Sequence, residues 1–284
     1  MLPTAFHIKR ALMSSFYVKI YIETHEGRKL MYSIGIDVGS VAAKAVIFDG
    51  QNIIAKEIIP TGWSPKESGI TLFNMLIDNA KIDKNYISMI VGTGYGRIAL
   101  PFIDRKVTEI TCHGKGAHYL DESIRTVIDI GGQDSKVIKL DEKGNIKDFL
   151  MNDKCAAGTG RFLQVMAHAL EIDVSQLSDI GRGAEPQNIN SMCTVFAESE
   201  VISLMASGAS KESIAAGLLQ SVCKKTCSLV SRVGAQNKVF FSGGVSRNLL
   251  LREYLSEKLG VEIITSEQSQ FLGAIGAAVI GYKK

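Results

Sequence analysis

The stretch Ile128-Asp129-Ile130-Gly131-Gly132-Gln133-Asp134-Ser135-Lys136 decides the fold. It reads as an apolar strand that ends in an acidic residue, followed by a glycine pair, small polar residues and the start of a second strand. Glycines allow the backbone N–H groups of a tight turn to approach a phosphate, because no Cβ stands in the way. An Asp at the end of the strand offers the oxygen ligand that Mg²⁺ prefers. The stretch therefore predicts a phosphate-binding turn with a magnesium ligand beside it.

The same pattern occurs earlier in the chain, at Ile36-Asp37-Val38-Gly39-Ser40. A lysine follows the Asp at the same spacing in both copies, as Lys44 and Lys136. One Asp-x-Gly turn is weak evidence, but two copies at a constant offset, each between two strands, indicate a duplication. The repeat predicts two halves with facing phosphate loops.

A third glycine turn, Gly243-Gly244, follows the apolar segment Val239–Ser242. One glycine pair alone could be a structural turn, whereas three such turns in one chain favour a nucleotide site. The first two turns are expected to hold the β- and γ-phosphates, with Mg²⁺ near Asp37 and Asp129, and the third to approach the adenosine. The residues predicted to bind the nucleotide are Gly39, Ser40, Lys44, Gly131, Gly132, Gln133, Gly243 and Gly244.

An ATPase also needs a side chain that positions the attacking water, because positioning and charge neutralisation carry most of the catalysis in phosphoryl transfer. Gln133, Glu198 and Glu200 are the polar residues considered for this role. The sequence does not separate these three. The predicted catalytic set consists of Asp37, Asp129, Gln133 and Glu198.

Strands alternate with helices along the chain, which indicates an α/β fold with mixed sheets. With the duplicated turns, this predicts two lobes and a nucleotide cleft between them. The first lobe is expected over residues 31–123 and the second over residues 124–284. Residues 1–30 form an upstream extension that is predicted to be poorly ordered, although Phe16–Ile22 could add an edge strand. Gly92–Arg97 is predicted to be a flexible glycine turn.

Composition limits the classes of function. The formal charge is +3 over 284 residues, and no Lys/Arg-rich block suggests nucleic acid as a partner. No uncharged apolar run is long enough to span a bilayer, and the N-terminus does not resemble a signal peptide. Five cysteines, an odd number without disulfide-like spacing, argue for a reducing compartment. We therefore expect a cytoplasmic protein.

Two of the cysteines, Cys155 and Cys193, are predicted to lie at helix starts. A helix N-terminus stabilises a thiolate and an anionic cluster built on it. A [4Fe–4S] cluster requires four thiolates, which a symmetric dimer could supply as two from each subunit. The alternative is that both are core residues, as most unpaired cysteines are. Cys112 is interpreted as a buried thiol beside a turn, and Cys223 and Cys227, which share one helix face, as core or interface residues.

The three glycine turns resemble the phosphate-1, phosphate-2 and adenosine motifs of the acetate kinase, sugar kinase, Hsp70 and actin superfamily. Within it, the chain from about Tyr32 to Gly281 resembles the ATPase activators of 2-hydroxyacyl-CoA dehydratases and the related benzoyl-CoA reductase ATPase subunits. The stretches that carry this resemblance are Thr108–His113 with Gly116-Ala117, Asp129–Lys136, Asn152–Phe162 and Ser191–Ile202.

The resemblance implies a two-lobed, duplicated ribonuclease-H-like ATPase fold of the actin, Hsp70 and sugar-kinase type. It also implies a homodimer with one [4Fe–4S] cluster between the subunits, held by Cys155 and Cys193 from each. Binding and hydrolysis of ATP with Mg²⁺ would then move the helices that begin near Cys155. One low-potential electron would pass to an iron–sulfur dehydratase or reductase acting on an acyl-CoA or related substrate. The resemblance does not say which enzyme accepts the electron or which protein supplies it.

Two other functions remain open at this point. A small-molecule kinase of the same superfamily would transfer phosphate to a sugar or carboxylate. It would need a substrate-binding insertion, and it would leave Cys155 and Cys193 unexplained. A nucleotide-gated binding protein, like a chaperone ATPase, would need a separate peptide-binding domain.

Overall fold

The structure, a computed structural model, describes residues 31–190, 193–234 and 238–282. The predictions made for residues 1–30, including the edge strand at Phe16–Ile22, lie outside the described residues.

The first half of the described chain forms a mixed five-stranded sheet. Its strands are β1 (Tyr32–Val38), β2 (Ala42–Phe48), β3 (Ile53–Pro60), β4 (Ile87–Thr93) and β5 (Arg105–Lys106). The order across the sheet is β3-β2-β1-β4-β5, with β2 antiparallel and β4 parallel to the central β1. β1 is buried along nearly its whole length, as its run of apolar residues requires.

The second half repeats this plan. Its strands are β6 (Thr126–Ile130), β7 (Ser135–Leu140), β8 (Ile146–Asn152), β9 (Val239–Ser242) and β10 (Ile263–Ile264). The order β8-β7-β6-β9-β10 matches the first sheet strand for strand. The pairing registers agree as well, because Asp37 faces Lys44 in one sheet and Asp129 faces Lys136 in the other. The predicted duplication and the two-lobed α/β fold class are confirmed.

Helices cover the sheets and connect them. They are α1 (Pro65–Ala80), α2 (Glu109–Leu120), α3 (Gly160–Ala169), α4 (Leu177–Gly181), α5 (Thr194–Ala206), α6 (Lys211–Val233), α7 (Leu249–Leu259) and α8 (Leu272–Gly281). The start of α1 follows ordinary helix-capping chemistry. Ser64 is the N-cap and accepts a hydrogen bond from the backbone N–H of Glu67, and Pro65 occupies the first turn. No helix among the described residues has the length and apolar character needed to cross a membrane.

Two helices pack against each other between the two sheets. α2 comes from the first half of the chain but packs on β6, β7 and β8, whereas α8 packs on β1, β2 and β4. The two helices approach closely at Gly116 and Gly276, where a Cβ would overlap the carbonyl oxygens of Leu272 and Cys112. Each sheet is therefore covered by a helix from the other half of the chain. The predicted lobe ranges, 31–123 and 124–284, stay predictions.

Gly92–Arg97 is the part of the first lobe that sequence reasoning misread. Gly92 and Thr93 belong to β4, and a short 3₁₀ helix begins at Tyr95. Gly94 between them has φ of 81°, and a Cβ there would collide with the Asp37 carboxylate. The stretch is a tightly packed strand-to-helix turn rather than the flexible turn that was predicted. It is the counterpart in the first lobe of the turn at Gly243.

Candidate functional site

A cavity of about 420 Å³ opens between the two lobes. It lies at the carboxyl ends of the central strands β1 and β6, where ligands commonly bind in α/β sheets. The predicted residues that line it are Asp37, Gly39, Ser40, Lys44, Asp129, Gly131, Gly132, Gly243 and Gly244. The structure thus brings the three glycine turns to one cavity, which is large enough for a nucleotide-sized ligand.

The two strand-end aspartates have different surroundings. Asp37 is buried, its Oδ1 has no hydrogen-bond partner among the described residues, and its Oδ2 lies 4.0 Å from Lys44 Nζ. In contrast, Asp129 accepts a hydrogen bond of 2.6 Å from Ser242 and one of 3.1 Å from Lys136. An unpartnered buried carboxylate oxygen is costly unless a ligand satisfies it. Asp37 therefore fits Mg²⁺ better than Asp129 does.

Lys136 is the centre of a buried charge cluster. Its side chain is only 1% exposed, and its Nζ lies within 3.1 Å of Glu109, Asp129 and Asp134. Burial alone would lower the pKa of Lys136, but the three carboxylates outweigh that effect and raise the pKa well above its usual value. Lys136 is therefore a permanent cation that holds three acidic side chains at one end of the cavity.

His113 adds a second cation to this cluster. Its Nε2 lies 3.4 Å from Asp129 Oδ1, and its Nδ1 lies 2.9 Å from the carbonyl oxygen of Glu109. Burial alone lowers the pKa of His113, but the charge and hydrogen bond of Asp129, with the charge of Glu109, raise it to about 9. Burial alone would raise the pKa of Asp129. The charges of His113 and Lys136, with hydrogen bonds from His113 and Ser242, outweigh burial and hold that pKa well below its usual range.

Glu109, His113 and Asp129 offer ligand atoms that all lie within 4.8 Å of one another, which resembles a metal site. The charges argue against that interpretation. Lys136 already pairs with both carboxylates, and His113 lies against Asp129, so these side chains neutralise one another without a metal ion. The group is better described as an internal ion-pair cluster.

Asp134 and Tyr95 join the two sides of the cavity. Tyr95 follows β4 in the first lobe, and its hydroxyl donates a hydrogen bond of 3.0 Å to Asp134 Oδ2 in the second. Burial, with the charges of Glu109 and Asp129, raises the pKa of Asp134 against the opposing effect of Lys136. Partial burial and the nearby carboxylate of Asp134 raise the pKa of Tyr95 to about 12. The phenol is therefore protonated, and it is a donor at neutral pH.

The two residues predicted to position the water are not part of the cavity lining. Gln133 is exposed in the turn after Gly132, and Glu198 lies partly buried on α5, and neither lines the cavity. Glu200, the third residue considered, accepts a hydrogen bond from the backbone N–H of Asn190. Besides Asp37 and Asp129, the acidic side chains that line the cavity are Glu109 and Asp134. The catalytic roles of Gln133 and Glu198 stay predictions.

Cys193 and Cys155 are the two cysteines that reach solvent. Cys193 is exposed and is the N-cap of α5, as predicted. Cys155 is partly buried in the loop before α3 and not in its first turn, because that helix begins only at Gly160. The remaining thiols, Cys112, Cys223 and Cys227, are buried, and burial raises the pKa of Cys112 to about 12. None of the five cysteines forms a disulfide.

The loop that carries Cys155 is tied to the second phosphate turn. The backbone N–H groups of Gly160 and Arg161 donate hydrogen bonds of 2.8 Å to the carbonyl oxygens of Gly131 and Gly132. Asn152 closes the loop from its other end, through hydrogen bonds to the carbonyl oxygens at residues 155 and 157. A shift of the phosphate turn would therefore move the start of α3 and the thiol five residues before it.

Sequence reasoning missed Glu109, His113 and Tyr95 as parts of the site. Glu109 and His113 stand four residues apart on α2, so they share one helix face. That spacing, within a stretch that resembles the activator ATPases, is the sequence feature from which their shared position in the site could have been predicted. Tyr95 had no such signal, because its role depends on a contact with a residue far away in the sequence.

Comparison with protein families gives one match over most of the chain. The family model described as "BadF/BadG/BcrA/BcrD ATPase family" matches residues 34–281. The (R)-2-hydroxyglutaryl-CoA dehydratase activating ATPase of Acidaminococcus fermentans is 46% identical over 257 residues, which cover 89% of this chain and 98% of that protein.

Solved structures agree with this match. Component A of the (R)-2-hydroxyglutaryl-CoA dehydratase of Acidaminococcus fermentans superposes with a TM-score of 0.85 at 44% identity, covering 88% of this chain and 97% of that one. The activator of the 2-hydroxyisocaproyl-CoA dehydratase from Clostridium difficile, solved with bound ADPNP, gives 0.83 at 44% identity, covering 88% and 94%. A ROK family glucokinase from Streptomyces griseus, at 13% identity and a TM-score of 0.53 over 88% and 99%, shares the fold alone.

Proposed function

Since this chain belongs to the BadF/BadG/BcrA/BcrD ATPase family, we propose that it is an ATP-dependent activator that passes one electron to an iron–sulfur enzyme acting on an acyl-CoA substrate. This chain matches 98% of the length of one relative named as a dehydratase-activating ATPase and 94% of another named as an activator. No large part of their fold is therefore missing here. The proposed electron acceptor is a dehydratase or reductase of the kind that those names describe.

The observation that carries the proposal is the placement of the cysteines. Three thiols are sealed in the interior, whereas Cys155 and Cys193 remain accessible near the start of α3 and at the start of α5, two helices that pack against each other. One chain therefore offers two accessible thiols near the starts of two helices that are packed together. A [4Fe–4S] cluster takes four, so two chains related by a two-fold axis would complete the set.

The surface around Cys193 supports such a dimer. Val195, Phe196 and Ile202 on α5 are 67%, 68% and 56% exposed. Apolar side chains left uncovered on one helix beside an open thiol fit a surface that a second copy of the chain covers.

The cavity supplies the nucleotide side of the proposal. Asp37 would hold Mg²⁺ through Oδ1, which has no hydrogen-bond partner among the residues that the structure describes, and the glycine turns would bind the phosphates through backbone N–H groups. Hydrolysis replaces the bond between the γ-phosphorus and the bridging oxygen with a bond to water oxygen, and a carboxylate of the cavity lining, such as Glu109, would orient that water.

Coupling between the nucleotide and the thiols follows from the hydrogen bonds at Gly160 and Arg161. A nucleotide that binds two arrangements of the phosphate turns with different affinity biases the position of α3. When bound at the thiolates, the cluster would supply a one-electron carrier. The chain would contribute its ligands and the movable helix start beside it.

The test is the iron and sulfide content of anaerobically purified and reconstituted protein. We expect about four irons per two chains in the wild type. Cys155→Ala and Cys193→Ala should each lose the iron and still fold, while Cys227→Ala, which removes a buried thiol, should keep it. Normal iron in either of the first two variants would overturn the ligand assignment.

A further inference from the structure

The two phosphate turns touch each other across the cleft. Gly132 of the second turn lies so close to the first that a Cβ there would collide with Val41 and would lie 3.1 Å from Ser40 Oγ. A nucleotide in the proposed site would have its phosphates beside both turns, because both line the same cavity. Phosphates held between the turns would enter and leave when the turns, and with them the lobes, separate.

Tyr95 is attached firmly to the first lobe. The Cα of its neighbour Gly94 packs against Asp37 so tightly that no side chain fits there. Arg97 donates a hydrogen bond of 2.7 Å to the carbonyl oxygen of Gly94, which holds the short 3₁₀ helix that presents the phenol. A displacement of Tyr95 is thus a displacement of the first phosphate site.

Asp134 is attached equally firmly to the second lobe. It is 3% exposed, and its Oδ1 accepts a hydrogen bond of 2.9 Å from Lys136, which also binds Asp129. Its backbone carbonyl accepts a hydrogen bond of 2.9 Å from Gly131, so the same residue closes the phosphate turn. The hydrogen bond between Tyr95 and Asp134 consequently joins the two phosphate sites by rigid connections on both sides.

We propose that Tyr95 is a positioning residue of the ATPase reaction, whose hydrogen bond to Asp134 holds the phosphate turns together around the nucleotide and slows its release. The proposal rests on nucleotide binding in the cavity, and it does not depend on the cluster or on the partner enzyme. Tyr95 acts through Asp134 and not on the reacting atoms. Opening of the lobes breaks this bond and exposes both groups to water.

The variant Tyr95→Phe removes the hydroxyl and keeps the ring. A hydrogen bond to a carboxylate contributes more than a neutral one, and Tyr95 is half exposed, so the closed state should lose stability by a factor of order ten relative to the open state. We expect release of a fluorescent ADP analogue, followed by stopped flow, to be about 10-fold faster, with a matching rise in the dissociation constant.

Tyr119→Phe is the matched control. The Tyr119 hydroxyl donates a hydrogen bond of 2.9 Å to the carbonyl oxygen of Gln51, away from the cavity. This variant loses the same chemical group, and release of the analogue should remain at the wild-type rate. In an Asp134→Asn background the acceptor is neutral, so the effect of Tyr95→Phe should shrink, and this double-mutant cycle shows that the two residues act together.

Each result decides the matter. Faster release in Tyr95→Phe alone, with a reduced effect beside Asp134→Asn, supports the inference. A lower thermal midpoint of Tyr95→Phe with an unchanged release rate overturns it, because that is the result of a purely structural role. If the wild-type protein binds no analogue at all, the nucleotide site itself is wrong, and the inference falls with it.

Discussion

His113 Nε2 lies 3.4 Å from Asp129 Oδ1, and both side chains are buried beside the second phosphate turn. Asp129 is the strand-end acid of a phosphate turn, yet its oxygens are occupied by Ser242, Lys136 and this imidazole. The equivalent acid in the first lobe, Asp37, has one oxygen with no hydrogen-bond partner in the described part of the chain. The duplicated turns have therefore diverged, so that one acid is open to a ligand and the other anchors an internal charge cluster.

The pairing of His113 predicts a pH dependence of stability. The pKa of His113 is raised to about 9 in the fold from the usual 6.5, so the folded state binds the proton more tightly than the unfolded chain. This contribution is complete below pH 6.5 and is lost as the pH rises through about 9. We expect the free energy of unfolding to fall by on the order of 3 kcal/mol over that interval, measured by denaturant titration. A His113→Gln variant should lose this dependence, and parallel pH profiles for variant and wild type would contradict the assignment.

Removal of Lys136 should be strongly destabilising. Lys136→Met leaves Glu109, Asp129 and Asp134 buried without their common cation. Breaking a buried ion pair from one side costs about 3–5 kcal/mol. Lys147→Met, on the exposed face of β8, is the control and should stay within about 0.5 kcal/mol of the wild type. Equal unfolding free energies for the two variants would show that the cluster does not depend on Lys136.

Asp37 is the predicted magnesium ligand, so Asp37→Asn should weaken the response to Mg²⁺. The amide keeps the shape and removes the charge beside Lys44. We expect the Mg²⁺ concentration for half-maximal ATP hydrolysis to rise by about 10-fold or more, since even outer-shell changes at metal sites cost that much. Asp78→Asn on the exposed face of α1 should leave the Mg²⁺ response unchanged. An unaltered Mg²⁺ requirement in Asp37→Asn would remove Asp37 from the metal site.

A comparison of Gly243 with Gly208 separates two effects of a side chain on stability: backbone strain and steric collision. Both have a positive φ, 86° and 89°, but a Cβ at Gly243 would collide with the carbonyl oxygen of Ile130, whereas Gly208 has open space around it. Both alanine variants carry the backbone strain of a positive φ, but only Gly243→Ala also brings a Cβ into collision with its neighbours. Gly243→Ala should therefore be less stable than Gly208→Ala by about 1–3 kcal/mol. Only Gly243→Ala should weaken binding of an ATP analogue in calorimetry. Similar stability and affinity in the two variants would mean that the third turn tolerates a side chain.

Sequence patterns predicted the parts of this protein that local chemistry dictates. Two Asp-Gly turns at a constant spacing, each followed by a lysine, were sufficient to predict that the strand–turn–strand plan is duplicated. The start of α1 at Ser64 and Pro65 likewise depends on capping chemistry that is local in the sequence.

The remaining features depend on tertiary contacts. A sequence pattern does not show that α2 covers the second sheet, so the meeting of Glu109 and His113 with Asp129 could not be predicted. The glycines at positions 92–97 suggested mobility, although Gly94 is required there by close packing on Asp37. Cys155 was placed at a helix start, but hydrogen bonds from Gly160 and Arg161 to the second phosphate turn coincide with a later start of that helix.

The central claim is that a nucleotide in the cleft alters a cluster shared by two chains through Cys155 and Cys193. The most direct measurement is the EPR spectrum of the reconstituted, reduced protein, recorded with and without a non-hydrolysable ATP analogue. We predict a signal from one [4Fe–4S] cluster per dimer whose shape changes when the analogue binds. Protein that holds no iron after anaerobic reconstitution, or a cluster signal that is identical with and without nucleotide, would contradict the account.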